Sequence, residues 1–310
     1  MRPIPGLRAV GRPLPEFLAA NPHAFSRAEL LGHWTRRALE NAVRGGGARR
    51  VLPGVYAASV HSQAPIVRGE ALNLWHPAGR VTGALALHLY ADRLPAPATA
   101  DLRVTNGTRP RAPAWLRCLQ GERIRVSSAP SGVECTVPER ALLDAWTLCD
   151  PDARRNLLWE AMWARVCTWR QLRRELDRTL RVAGRRDLER VLGWFADGAT
   201  TPLEVRARHE TFADARFRDF EWQVALALPS RRATVDMLHR RLGVVVELDG
   251  DRYHSTRSAR DADRERQTDL AAAGYAVVRF GWTDLTKRPE WCRERLLAVV
   301  ARRLARPGGT

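Results

Sequence analysis

The segments TVDML (residues 234–238) and VVVELD (residues 244–249) place three acidic residues among β-branched and other apolar ones. This composition favours β-strands, and a short turn containing Gly243 joins the two segments. The sequence therefore predicts an antiparallel hairpin that carries Asp236 on one strand and both Glu247 and Asp249 on the other.

The predicted hairpin brings the three carboxylates to one face. Side chains alternate across a strand, so Glu247 and Asp249 point to the same side. With Leu242 and Gly243 as the turn residues, Asp236 lies opposite Asp249, and one register step earlier it lies opposite Glu247. Directly opposed Cβ atoms are about 5 Å apart, so the charges repel unless a cation lies between them. We therefore interpret the three carboxylates as a site for Mg²⁺, or alternatively Mn²⁺, because hard divalent cations prefer carboxylate and water oxygens.

A histidine follows this cluster in the segment GDRYH (residues 250–254). His254 has the side chain whose unperturbed pKa lies nearest neutrality, which suits a general acid or base. The alternative is that His254 caps the loop, and that the acidic residues end strands in solvent or pair with neighbouring arginines.

The surrounding residues, 201–310, predict one domain with the element order α-β-β-β-α-β-α. Apolar periodicity indicates helices over 203–213, 260–273 and 290–304, and strands over 220–226, 233–238, 244–248 and 275–280. Arg266 lies in the second helix, where its spacing predicts a local ion pair with Asp263 and, as an alternative, contact with a phosphate backbone. The preceding residues, 198–202, have a composition typical of a linker.

The first sixty residues predict a winged helix-turn-helix. Ser26 and Glu29 have the spacing of a capping box for a helix ending at Gly32, and Thr35 can cap a second helix over residues 36–44. A strand and wing follow over residues 51–56. The predicted DNA-contacting residues are Arg36, Arg37 and Arg44. The alternative is a small helical subdomain with a solvated basic face.

Between these two regions the sequence predicts a small α/β domain and a helical connector. Residues 61–137 mix short helices and strands, including a helix over 83–90 and a strand over 102–105. Residues 138–200 have helical periodicity over 139–148, 153–166, 169–180 and 186–195. We interpret the tryptophans of the connector as core residues. The whole chain is thus predicted to be an α/β protein of several domains.

The composition indicates a polyanionic partner. The chain has 51 Lys and Arg against 34 Asp and Glu, a net charge of +17, although Lys287 is its only lysine and the arginine content could equally reflect coding bias. The five scattered cysteines favour neither a disulfide framework nor a zinc site. The sequence has no apolar leader and no long apolar run, so we expect a cytoplasmic protein without a membrane segment.

Residues 201–304 resemble the PD-(D/E)XK nuclease superfamily, and most closely its branch similar to very-short-patch-repair endonucleases. The resemblance rests on PLE (202–204), VD (235–236), VELDG (246–250), YH (253–254), DxxR (263–266) with Leu270 and Gly274, and VVRF (277–280). It implies a restriction-endonuclease-like mixed sheet flanked by helices. It also implies Mg²⁺-dependent phosphodiester hydrolysis by a metal-positioned water.

The resemblance also implies roles for individual residues. Asp236 and Glu247 match the two acidic positions, and Glu204 matches an acidic residue that can complete the metal shell. His254 matches an active-site histidine of the repair-endonuclease branch. Asp249 stands where many relatives have lysine, so the usual lysine contribution is absent.

The amino-terminal half resembles the AbiEi-type antitoxin domain of type IV toxin-antitoxin systems. The segments that carry the resemblance are RVLPGVY (50–56), TGALALHLY (82–90) and VPERALLD (137–144). The resemblance implies DNA binding, and it opens the alternatives of a homodimer and of a toxin or defence-system partner.

Our hypothesis from sequence is a Mg²⁺-dependent DNA endonuclease with an amino-terminal DNA-binding module. The rival hypothesis is a non-catalytic DNA-binding regulator or antitoxin that retains a degenerate nuclease fold. RNA remains open as a substrate, because chemistry at the phosphate carries no base code.

Overall fold

The computed structural model describes residues 12–108, 110–196, 201–228, 232–250 and 257–305. The chain divides into two compact units, Met1–Leu188 and Glu189–Thr310. The four-part division that we expect from sequence is finer than this, and it stays a prediction. None of the helices in these ranges is both long and apolar enough to cross a bilayer.

The first unit begins with a helix, a short strand, two helices and a hairpin. These are α1 (Leu14–Ala20), β1 (Phe25–Ser26), α2 (Arg27–Leu31), α3 (Arg36–Arg44), β2 (Ala48–Leu52) and β3 (Val55–Ala58), with the strands in the order β1-β3-β2. Ser26 forms the predicted capping box with Glu29, and Thr35 caps α3. The two predicted helices are therefore confirmed.

A five-stranded mixed sheet and six helices follow, of which the last, α9, crosses the boundary between the two units. They are α4 (Pro65–Trp75), β4 (Arg80–Thr82), α5 (Gly83–Tyr90), β5 (Ala100–Thr105), β6 (Leu116–Gly121), β7 (Val126–Ser128), β8 (Glu134–Thr136), α6 (Pro138–Leu148), α7 (Arg154–Trp163), α8 (Trp169–Asp177) and α9 (Arg185–Ala196). Trp146 and Trp159 are fully buried, as predicted. Trp169 is only partly buried, and Arg170 lies over its ring.

Buried ion pairs join the sheet of the first unit to its helices. Asp144 of α6 accepts hydrogen bonds from Thr82 at the end of β4 and from Arg103 of β5. Glu175 of α8 pairs with Arg125 and Arg140. Because a buried charge without a partner is costly, these arginines have a structural reason to be present.

The second unit contains a four-stranded sheet in the order β12-β11-β10-β9. Its elements are α10 (Pro202–Arg206), β9 (Glu221–Ala227), β10 (Arg232–His239), β11 (Val244–Asp249), α11 (Arg257–Ala272), β12 (Ala276–Gly281), α12 (Trp282–Lys287) and α13 (Pro289–Leu304). β11 runs parallel to β12, and the other pairs are antiparallel.

Two details of the predicted element order are wrong. The first helix ends at Arg206, where a π-helical turn over Ala207–Thr211 replaces its second half. A short helix, α12, stands between the last strand and the last helix. Asp284 starts it by accepting a hydrogen bond from the backbone N–H of Gly281 at 2.9 Å, a local cap that apolar periodicity does not reveal.

The turn of the hairpin decides the register of the acidic residues. His239 pairs with Val244, so four residues form the loop, and Gly243 ends it in the left-handed conformation at φ 60°. The two-residue turn is therefore wrong. Extending the observed pairing by one residue places Asp236 opposite Glu247, which is the alternative register that we predicted from the sequence.

The close contact between Gly83, the first residue of α5, and Asp101 of β5 can be tested by substitution. The φ of Gly83 is +63°, and a Cβ there would overlap the carboxylate of the buried Asp101. Gly83→Ala should lower the free energy of unfolding by about 2–4 kcal/mol, because backbone strain adds to overpacking. Gly46→Ala is the matched control, since its φ is +75° with open space around it, and it should cost about 1 kcal/mol. Urea denaturation of both variants measures this, and equal losses would contradict the steric argument.

Candidate functional site

One polar side chain from each strand forms a row across the sheet of the second unit. Glu247 of β11 pairs directly with Arg279 of β12. In the neighbouring strand on the other side, β10, Asp236 lies opposite Glu247. The next strand, β9, places Gln223 opposite Asp236. We call Gln223, Asp236, Glu247 and Arg279 the polar row.

Asp236 is held by neutral donors from both neighbouring strands. The amide of Gln223 donates to its Oδ1 at 3.1 Å, and the backbone N–H of Leu248 donates to its Oδ2 at 2.7 Å. Burial raises the pKa of Asp236, and the negative charge of Glu204 raises it further, while the bond from Leu248 lowers it. Glu204 of α10 thus acts electrostatically on Asp236, and its place in a metal shell stays a prediction.

Glu247 is a largely buried carboxylate with a guanidinium beside it. One nitrogen of Arg266, Nη2, donates to both carboxylate oxygens, at 2.8 and 2.9 Å. Burial raises the pKa of Glu247 to about 7, the positive charge of Arg266 lowers it, and the negative charge of Asp236 raises it. Arg266 therefore compensates only part of the electrostatic cost of this site.

Asp249 lies on the same strand but makes a separate ion pair. Arg279 donates from Nε to Asp249 Oδ2 at 2.7 Å and from Nη2 to Asp249 Oδ1 at 2.6 Å. The same Nη2 reaches Asp263 of α11 at 3.0 Å. These bonds raise the pKa of Arg279. The fork between Arg279 and Asp249 is the bidentate geometry of a strong charge-assisted pair.

The donor set of the polar row fits a small divalent cation held largely by water. Over the residues that the structure describes, no three His, Cys, Asp or Glu side chains form a group that could hold a metal ion. Mg²⁺ usually keeps several waters and takes one or two carboxylates. Asp236 and Glu247 lie opposite each other on adjacent strands and fit that pattern, whereas Asp249 lies two residues further along β11 and forms a bidentate pair with Arg279.

The other predicted site residues fall in three places. His254 lies outside the described residues. Arg266 of α11 contacts Glu247 and the carbonyl oxygen of Thr234, and its buried Nε has no hydrogen-bond partner among the described residues. The predicted DNA-contacting residues are exposed on α3 in the first unit; they are Arg36, Arg37 and Arg44.

Sequence reasoning missed Gln223 and Arg279 as members of the polar row. Arg279 had a signal, because it is the one charged residue in the apolar strand β12. Gln223 had none, since a polar residue on a half-exposed strand is ordinary and only the fold brings its amide to Asp236.

The mixed sheet with acidic residues on adjacent strands fits a restriction-endonuclease-like domain. Residues 213–300 match the model of the family REase_MTES_1575, a restriction-endonuclease-like family. The matched segment contains the whole polar row and supports a nuclease-like domain in the second unit. No curated protein matches the chain significantly. The resemblances to very-short-patch-repair endonucleases and to AbiEi-type antitoxins stay predictions.

The raised pKa of Glu247 predicts a pH-dependent stability. The unfolded chain loses the Glu247 proton near the ordinary pKa of 4.5, but the folded chain keeps it until about pH 7. The stability that Glu247 contributes to the folded chain is fully present below pH 4.5 and is lost as the pH rises through 7. Glu247→Gln should therefore gain stability relative to the native chain, on the order of 2 kcal/mol, as the pH rises from 4.5 to 8.

Chemical denaturation across this pH range, without added metal, measures the change. Glu221→Gln is a control of opposite sign, because its hydrogen bond with Arg240 lowers the pKa of the exposed Glu221. Relative to the native chain, the Glu221→Gln variant should therefore lose a little stability as the pH rises. A stability difference for Glu247→Gln that is constant with pH would contradict the assignment.

Proposed function

We propose that the second unit is a Mg²⁺-dependent endonuclease that hydrolyses phosphodiester bonds of DNA, with Mn²⁺ as an alternative metal. The observation that carries the proposal is the adjacency of Asp236 and Glu247, two partly buried carboxylates on neighbouring strands inside the segment that matches a restriction-endonuclease-like family. A fold has little reason to keep two repelling carboxylates side by side unless a cation joins them.

In this proposal Asp236 and Glu247 hold the metal, and Glu204 adds negative charge from α10. A bound Mg²⁺ supplies Lewis acidity toward the phosphate and a more acidic bound water. Gln223 and Leu248 orient Asp236 through their hydrogen bonds. Leu238 and Val245, two residues along each strand on the same face as the row, are fully buried and lower the local dielectric constant.

Arg266 and Asp249 have supporting parts in the proposed reaction. Arg266 places a guanidinium next to Glu247, where it can contact a phosphate of the bound strand. Asp249 is proposed to orient the attacking water from its ion pair with Arg279. His254 is proposed to assist proton transfer. These assignments replace the lysine that many nucleases of this superfamily use.

Cleavage of supercoiled plasmid by the purified full chain tests this proposal. Mg²⁺ or Mn²⁺ should produce nicked or linear DNA, and EDTA should prevent it. Glu247→Ala and Asp236→Asn should each lower the rate by about 100-fold or more, because several kcal/mol of transition-state stabilisation are lost. Glu221→Gln, an exposed change in the same sheet, should keep full activity.

We also propose that residues 1–60 are a winged helix-turn-helix that binds DNA. In support, α2 and α3 are followed by the hairpin of β2 and β3, in the order that this class of module requires. The exposed face of α3 carries Arg37 and Arg44, and β2 exposes Arg49 and Arg50. Arg36 is exposed as well, but it is paired with Glu40 at 2.7 Å.

The salt dependence of binding tests the basic face of α3. The double variant Arg37→Ala/Arg44→Ala should weaken binding to a DNA duplex and reduce the slope of log K against log [salt] by about 1–2, since each lost phosphate contact contributes about 0.9. Fluorescence anisotropy at several salt concentrations measures this. Arg173→Ala is a control, because Arg173 is exposed elsewhere in the same unit and paired with Asp177. An unchanged slope in the double variant would assign DNA binding to another surface.

The second candidate function is a DNA-binding regulator or antitoxin without catalysis. The observation that favours it is the pairing of Glu247 with Arg266 and of Asp249 with Arg279, which gives both carboxylates a counter-charge without any metal. Tight DNA binding with no cleavage of plasmid, single-stranded or mismatched DNA would favour this function. A homodimer, a toxin partner and a cytoplasmic location remain predictions of the sequence, and cleavage of RNA is to be tested beside that of DNA.

A further inference from the structure

Gln223 has an unusual backbone conformation for a strand residue. Its φ is +52°, in the left-handed region that favours glycine. Among the described residues only one other non-glycine residue, Arg165, has a positive φ, and it lies just beyond the end of α7, where such a conformation commonly closes a helix. Gln223 instead lies inside β9, so no turn or helix end explains its conformation.

The ladder around Gln223 is otherwise regular. The pairs Val224–Val235 and Trp222–Met237 have the same register on either side of it, so no residue is inserted in either strand. The strain is therefore confined to the one position that faces Asp236. A strained residue persists only when its surroundings favour that conformation, and such residues concentrate at functional sites.

The side chain that this strained backbone carries contacts Asp236. Its Nε2 donates to Asp236 Oδ1, while the backbone N–H of Leu248 donates to Asp236 Oδ2 from the opposite strand. The two bonds define the orientation of the carboxylate plane. Each carboxylate oxygen has two acceptor sites, so both oxygens can still bind a cation.

We propose that Gln223 is a positioning residue, whose strained backbone places its amide on Asp236 and so orients that carboxylate for a divalent cation. This inference rests on the proposed metal site of the second unit. Groups that orient a metal ligand typically contribute a factor of about 10–100 to metal affinity. The strain at Gln223 then lowers the stability of the fold, and the orientation of Asp236 for the metal is the functional gain that offsets this loss.

Replacing Gln223 separates the strain from the hydrogen bond. Gln223→Gly removes both the amide and the strain, whereas Gln223→Ala removes the amide and keeps the strain. Both variants should bind Mn²⁺ about 10–100-fold more weakly than the native chain. In melts without metal, Gln223→Gly should unfold at a temperature about 4 °C higher than Gln223→Ala.

Isothermal titration of Mn²⁺ into the full chain, without DNA, measures the affinity independently of cleavage. The control is Glu221→Gln, an exposed change two residues away, which should bind Mn²⁺ as the native chain does. Native affinity in both Gln223 variants, beside a native chain that binds Mn²⁺, would overturn this inference and leave the proposed nuclease intact. A native chain that binds no Mn²⁺ would overturn the metal site itself, and the inference with it.

Discussion

The repulsion between Asp236 and Glu247 is the constraint on which the second unit depends. The hairpin register places these two carboxylates on adjacent strands, and burial makes their charges costly, as the raised pKa of each one indicates. Three polar contacts nearby can be understood as responses to this pair. Gln223 and Leu248 hold Asp236 with neutral donors, and Arg266 offsets part of the charge of Glu247.

The arginines of the site supply counter-charge to its acidic residues and also connect its elements. Arg279 bridges Asp249 of β11 and Asp263 of α11, so that it joins the helix to the sheet beside the carboxylate pair. Arg266, one turn before the buried Leu270, does the same for Glu247. A guanidinium can make several directed bonds at once, which a lysine cannot. Arg266 and Arg279 thus both neutralise part of the negative charge and hold α11 against the sheet.

The high arginine content has more than one cause. In the first unit, Arg103, Arg125 and Arg140 neutralise buried acidic residues, so they contribute to the net charge without being available to a polyanion. The arginines of α3 are exposed instead. Net charge is therefore a weak guide to partners in this protein, and the position of each arginine in the fold is a better one.

The sequence by itself determined most of the helices and strands and placed Asp236 and Glu247 on paired strands, because apolar periodicity, capping residues and strand alternation are local properties. Thus the caps at Ser26 and Thr35 and the strands that carry Asp236 and Glu247 were predicted correctly. The tertiary structure decided the hairpin register through the left-handed Gly243, the ion pair of Asp249 with Arg279, and the contact of Gln223 with Asp236. The contacts of Asp249 and of Gln223 join strands that are separated in sequence. The physical reason is that they depend on the conformation of one loop residue, Gly243, and on the parallel pairing of β12 with β11, and no local sequence pattern encodes either.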